Sequence, residues 1–177
     1  MLTGGVLLPC TFAQQMPVPA NTPLSVIVTG ATLGQNGVLR CTWKIRNNGS
    51  KLIHVYSSYL KSSGVDMIQS SDKRTLLLLT TWINEQKNTY PAYGFDAPEF
   101  IDLEPGGEAS GAFERSVSVR HIETYKKIIL AVGYVTDIVQ LRNDLQNSLK
   151  RGVEFQANSI IRWQKIEYST PVKMTRH

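Results

Sequence analysis

Cysteine is scarce in this chain: Cys10 and Cys41 are its only two. That rules out a dense disulfide framework, and no CxxC pair offers the spacing of a zinc site. The three histidines, His54, His121 and His177, stand far apart with no HxxH or HExxH run. Each reads as a surface or hydrogen-bonded strand histidine rather than a metal ligand. There is no GxSxG elbow, no Walker loop and no GxGxxG fingerprint. The segment Gly30-Ala31-Thr32-Leu33-Gly34 faintly resembles a nucleotide-binding turn, but no helix signal follows it. No apolar run is long enough to span a bilayer as a helix. The longest, Leu76 to Ile83, is ended by Asn84 and Glu85. No internal repeat stands out. The sequence therefore predicts no enzymatic activity, no metal and no cofactor.

What is present is enough apolar material for a core: 42% hydrophobic against 19% charged residues over 177 residues. That composition describes one globular domain rather than a disordered chain. The net charge of +5 is spread along the sequence. It fits an ordinary solvated surface, and it would also suit an anionic partner.

The β pattern is clearest at residues 38–56, VLRCTWKIRNNGSKLIHVY. Leu39, Cys41, Trp43 and Ile45 alternate with Arg40, Thr42, Lys44 and Arg46, which predicts a strand with one apolar and one cationic face. Asn48-Gly49 then predicts a type I′ hairpin turn into a second strand, residues 52–56. Asn48-Gly49-Ser50 also fits a glycosylation sequon, although the turn already accounts for those residues. Further strands are predicted at 24–29 (ending at the turn residues Gly30 to Gly37), about 65–68, 74–83, 100–103, 109–119 and 127–135. A last, slipped β segment is expected over 153–168. The run 127–135 reads as the clearest core strand of the second half. One helix breaks the pattern. Ile138, Leu141, Leu145 and Leu149 recur at helical spacing, with Thr136 as the expected N-cap and Gly152 as the C-terminal cap.

Seven to nine short strands separated by turns predict an all-β sandwich. The inward Cys41 and Trp43, the NNGS turn and the Leu103 to Phe113 turn-and-strand resemble the immunoglobulin-like sandwiches of exported bacterial proteins. The resemblance spans residues 22–170 and lacks that fold's paired cysteines. It implies an immunoglobulin-like antiparallel β-sandwich with one inserted amphipathic helix at about 137–150.

The chain divides accordingly. Residues 1–15 are uncharged, with a short apolar stretch and small residues before Ala13, and read as a signal-peptide remnant without its basic start. Residues 16–23 form a Pro-rich lead-in, 24–170 the sandwich, and 171–177 a basic, frayed tail. The expected location is periplasmic or extracellular.

Binding candidates follow from side-chain chemistry. Trp82, Tyr90, Tyr93 and Phe95 lie in or beside the longest aperiodic stretch and could offer aromatic contact area to a sugar or protein. The competing reading is that they cover one end of the core. Arg40, Lys44 and Arg46 form a cationic stripe that could meet phosphates, against the simpler reading of a solvated strand face. Asp96, Glu99, Asp102 and Glu104 form an acidic cluster whose spacing also describes the wet side of a strand. The function these features favour is a non-catalytic interaction or structural module, meeting a protein or glycan through the aromatic loop or a sheet edge. Specific nucleic-acid binding is not expected. The alternatives are a hydrolase of envelope polymers with its site around residues 82–104, and an anion-binding module using the basic strand face.

Overall fold

A computed structural model describes residues 22–57, 66–69, 72–80, 99–117, 124–149 and 159–176. In chain order the elements are β1 (Leu24–Leu33), β2 (Val38–Asn47), β3 (Ile53–Tyr56), β4 (Asp66–Gln69), β5 (Thr75–Thr80), β6 (Phe100–Leu103), β7 (Glu108–Ser116), β8 (Lys127–Val135), α1 (Ile138–Leu149), β9 (Lys165–Tyr168), β10 (Val172–Lys173) and β11 (Thr175–Arg176). They form an all-β sandwich with the helix α1 and, among the described residues, a short helical stretch at 159–163. One sheet has the order β11-β1-β2-β7, and the other contains β4-β5-β8-β3-β6 with β9 and β10 also on β8. No helix among the described residues is long and apolar enough to cross a membrane.

The core lies between the sheets. Leu39, Cys41, Trp43 and Ile45 of β2 face Leu78 of β5 and Ile128, Leu130 and Val132 of β8, all buried. Each such aliphatic side chain stabilises the fold by roughly 1.5–3 kcal/mol relative to an exposed one. β2 alternates strictly because its other face meets solvent. β8 does not: every residue from Ile128 to Val135 is buried. Both faces of that strand are covered, the second by a smaller cluster in which Tyr56 and Val135 meet Leu141 of α1 and Ile160. β5 and β9 both pair with Ala131 and Val132, so they flank β8 on opposite edges. A strand enclosed on both faces reads as a continuous apolar run.

Several expectations are corrected here. The sheets are mixed rather than purely antiparallel: β5 runs parallel to β8, and β1 parallel to β11. The residues flanking Asn48-Gly49 do not form a hairpin, because β2 pairs with β1 and β7 while β3 pairs with β6 and β8. The stretch is a corner between sheets, built on Asn47. Its wholly buried amide gives Nδ2–H bonds to the carbonyls of Lys51 and Leu103, both 2.8 Å, and accepts the Gly49 N–H at 2.9 Å. The turn at Glu104 to Gly107 makes the return crossing beside it, with Gly106 N–H bonded to the Asn47 carbonyl at 2.9 Å.

β2 instead forms a hairpin with β1, closed at Gly37 with φ of 81°. β1 does not stop at Thr29. A bulge between Val28 and Gly30 shifts the register and lets the strand run on to Leu33. A bulge absorbs one residue without ending a strand, which a reading of Gly30 as punctuation overlooks. The N-cap of α1 is Asp137, whose Oδ1 accepts the Gln140 N–H at 3.0 Å, and not Thr136. Residues 159–163 are helical rather than extended, and β9 starts only at Lys165. The described tail residues are not frayed: β10 pairs with β8 and β11 with β1. Gly152, the expected C-terminal cap of α1, lies outside the described residues.

Candidate functional site

The aromatic candidates Trp82, Tyr90, Tyr93 and Phe95 lie outside the described residues, as does Asp96. The basic stripe is described in full. Arg40, Lys44 and Arg46 project from the outer face of β2, and β7 brings carboxylates alongside. Arg40 Nε lies 2.7 Å from Glu114, Lys44 Nζ 2.7 Å from Glu108, and Arg46 3.6 Å from Glu108. The register explains this, since Arg40 is directly opposite Glu114 and Arg46 opposite Glu108. The Lys44 ammonium, through its hydrogen bond, holds the Glu108 carboxyl below the usual carboxylate range. Three cations thus share two carboxylates, and most of the positive field a phosphate would seek is already met within the sheet.

The acidic residues that are described do not converge. Glu99, Asp102 and Glu104 are all exposed. Asp102 has one specific role: its Oδ1 lies 2.7 Å from Nδ1 of His54, its cross-strand neighbour. His54 is buried apart from 8% of its surface and meets Phe100 edge-on, with ring centroids 6.3 Å apart. Phe100 also stacks obliquely on Tyr56 at 4.9 Å. This makes His54 a hydrogen-bonded strand histidine on the face of the second sheet towards α1. No group of three or more metal-ligating side chains occurs among the described residues. Cys41 is a free, buried thiol that burial pushes up to about 12. A nucleophile needs its thiolate, so this cysteine acts as a small apolar side chain.

Among the described residues, the edge of the first sheet is a further polar feature. β7 is its last strand, paired on one side by β2 alone among the described residues. The Asn47 N–H bonds to the Gly107 carbonyl, and the Val117 N–H to the Gly37 carbonyl. Hydrogen-bonded pairs alternate along an antiparallel ladder. Residues 109, 111, 113 and 115 therefore turn their backbone groups towards β2, and Ser110, Ala112 and Glu114 turn theirs outwards. The outward row contains no proline or lysine to blunt it. At its middle, Gly111 lets the Trp43 indole lie across the strand: a Cβ there would sit 2.6 Å from the ring. The indole Nε1–H, one of three buried side-chain polar atoms without a partner among the described residues, belongs to this same ring.

Beside the far end of β7 is a recess of about 360 Å³, lined among the described residues by Val38, Met67, Glu114, Arg115 and Ser116. It opens between the outermost strand of each sheet, β7 and β4. Arg115 stands directly opposite buried Leu39, so its side chain starts from the core-facing side of β7. The sequence hinted at this. Ala109, Gly111, Phe113, Arg115 and Val117 share one parity, and a lone cation interrupts that otherwise apolar row. That β7 is an edge could not be read from the sequence.

No protein-family model matches the chain, and no curated protein matches it. Among solved structures it is similar to a mutant beta-glucosidase from Listeria innocua in complex with laminaribiose, at 12% identity and a TM-score of 0.26. It is similar to the same organism's beta-glucosidase in complex with glucose, at 12% and 0.25, and in complex with isofagomine, at 12% and 0.26. These alignments cover 85–87% of this chain but 16% of the glucosidase chain. Superposition that poor bears on neither fold nor activity.

Proposed function

We propose that this chain is a non-catalytic interaction or structural module of an exported, immunoglobulin-like type, which binds a protein partner by strand addition. The observation that carries the reading is the outward row of backbone donors and acceptors on β7. An exposed sheet edge binds an extended segment through main-chain hydrogen bonds, with alternate side chains supplying specificity. The exported setting rests on the uncharged, apolar N-terminal sequence. The buried thiol of Cys41 and the scattered carboxylates favour binding over catalysis.

Amide hydrogen exchange on the monomer tests the edge directly. The amides of Ser110, Ala112 and Glu114 exchange quickly, while those of Ala109, Gly111 and Phe113 are protected by β2. Protection of both sets at all dilutions would mean the edge is already covered, and the reading falls. Ala112→Pro removes one outward N–H and none that bonds β2. It abolishes capture of a partner from envelope extract while keeping the unfolding midpoint; equal capture by the folded variant would also defeat the reading.

A further inference from the structure

We infer that the recess beside β7 is a seat for an acidic side chain, so that the strand added there carries an aspartate or glutamate opposite Arg115. The inference rests on the strand-addition reading and goes further by naming the chemistry of the partner. Arg115 is half-buried and lines the recess together with Val38, Met67, Glu114 and Ser116. Among the described residues it has no acidic partner. The carboxylate nearest in sequence, Glu114, also lines the recess, but it is held by Arg40 at 2.7 Å. A guanidinium in such a place, partly shielded from water, gains more from a carboxylate than an exposed one does.

The geometry of the edge fixes where that carboxylate must be. Outward hydrogen bonds leave from Ser110, Ala112 and Glu114, so an added antiparallel strand makes its hydrogen-bonded pairs with those residues. Its alternate residues then stand opposite Gly111, Phe113 and Arg115 in the non-hydrogen-bonded pairs. There Cα atoms approach to about 4.5 Å and side chains on the same face come closest. The residue opposite Arg115 points towards the recess. The next two of that parity meet Phe113 and the Trp43 indole that lies over Gly111. The partner therefore reads, from its N-terminus, acidic-x-apolar-x-apolar, with the x positions facing water.

The probe is the peptide Ac-Lys-Glu-Thr-Val-Thr-Val-Thr-NH2 and its twin with glutamine in place of glutamate, each titrated into the 15N-labelled full chain. One charge-assisted contact at this depth makes the glutamate peptide bind about tenfold more tightly than its twin. Both slow the exchange of the Ser110, Ala112 and Glu114 amides, and salt weakens the preference. Arg115→Met, checked for folding by retained protection of Ala109, Gly111 and Phe113, binds the two peptides equally. If the wild-type chain binds both peptides equally and both protect the outward amides, the acidic seat is overturned while strand addition stands. A folded Arg115→Met variant that keeps the preference overturns the acidic seat in the same way. If neither peptide protects those amides, the acidic seat and the strand-addition reading fall together.

Discussion

Asn47 is the residue whose replacement most directly tests how the two sheets are joined. Asn47→Ala removes three hydrogen bonds, to Lys51 and Leu103 as donor and from Gly49 as acceptor. The site is fully buried, so water does not replace them. At about 1 kcal/mol each the loss is roughly 3 kcal/mol, and more if the Leu103 carbonyl is left bare. In a chain of 177 residues that lowers the melting temperature by about 6–12 °C. Asn47→Asp is the sharper test. It keeps the shape and the acceptor for Gly49, but it sets an oxygen against two carbonyl oxygens where an NH2 stood. It should be less stable than Asn47→Ala at pH 7, although it is the closer isostere. Burial among carbonyls raises that carboxyl above its unfolded value of about 3.9. The folded state then binds protons more readily than the unfolded state, so the deficit relative to Asn47→Ala shrinks as pH falls towards about 4. Urea unfolding from pH 4 to 7 reads both effects as shifts in midpoint at constant slope. An Asn47→Ala variant within about 0.5 kcal/mol of wild type, or an Asn47→Asp variant at least as stable as it at pH 7, would refute the reasoning.

Two other perturbations follow from the same structure. Asp137→Ala removes the N-cap of α1 and costs about 1 kcal/mol by thermal or urea unfolding, whereas Thr136→Ala changes stability by less than about 0.5 kcal/mol; equal effects would mean that Asp137 is not the cap. The Glu108 carboxyl, held below its ordinary range by Lys44, titrates in the folded chain at a lower pH than a free glutamate. Its contribution to stability is therefore present above the unfolded value of about 4.3 and is lost as pH falls through the folded one. Carboxyl-carbon NMR titration shows the midpoint, and Lys44→Gln raises it; a midpoint at the ordinary value that Lys44→Gln leaves unmoved would remove the pairing from the account.

The candidate site was legible only in pieces. The cationic stripe of Arg40, Lys44 and Arg46 follows from strand parity, yet its pairing with Glu108 and Glu114 depends on β7 lying next to β2 in one register. His54 and Asp102 lie 48 residues apart in sequence, and nothing local announces that they face each other. Arg115 could be seen as a cation in an apolar row, but the recess it lines is shared with Met67 of the other sheet, which no local signal places there.

By itself the sequence determined the class of the molecule. Alternation in β2, the apolar run of β8 and the helical spacing of Ile138, Leu141 and Leu145 mark those three segments as strand, strand and helix. Those choices are made by side-chain period and backbone stereochemistry, both of which act over a few neighbours. Which strands are partners was decided only by tertiary structure. The residues at Asn47 to Ser50 are as compatible with a tight hairpin as with a corner. What selected the corner was that β3 fills a place beside β6 and β8 that no local signal encodes. The same holds for β7: a strand carries its hydrogen-bonding groups on both sides, and only the tertiary structure decides that, among the described residues, β2 alone pairs with it.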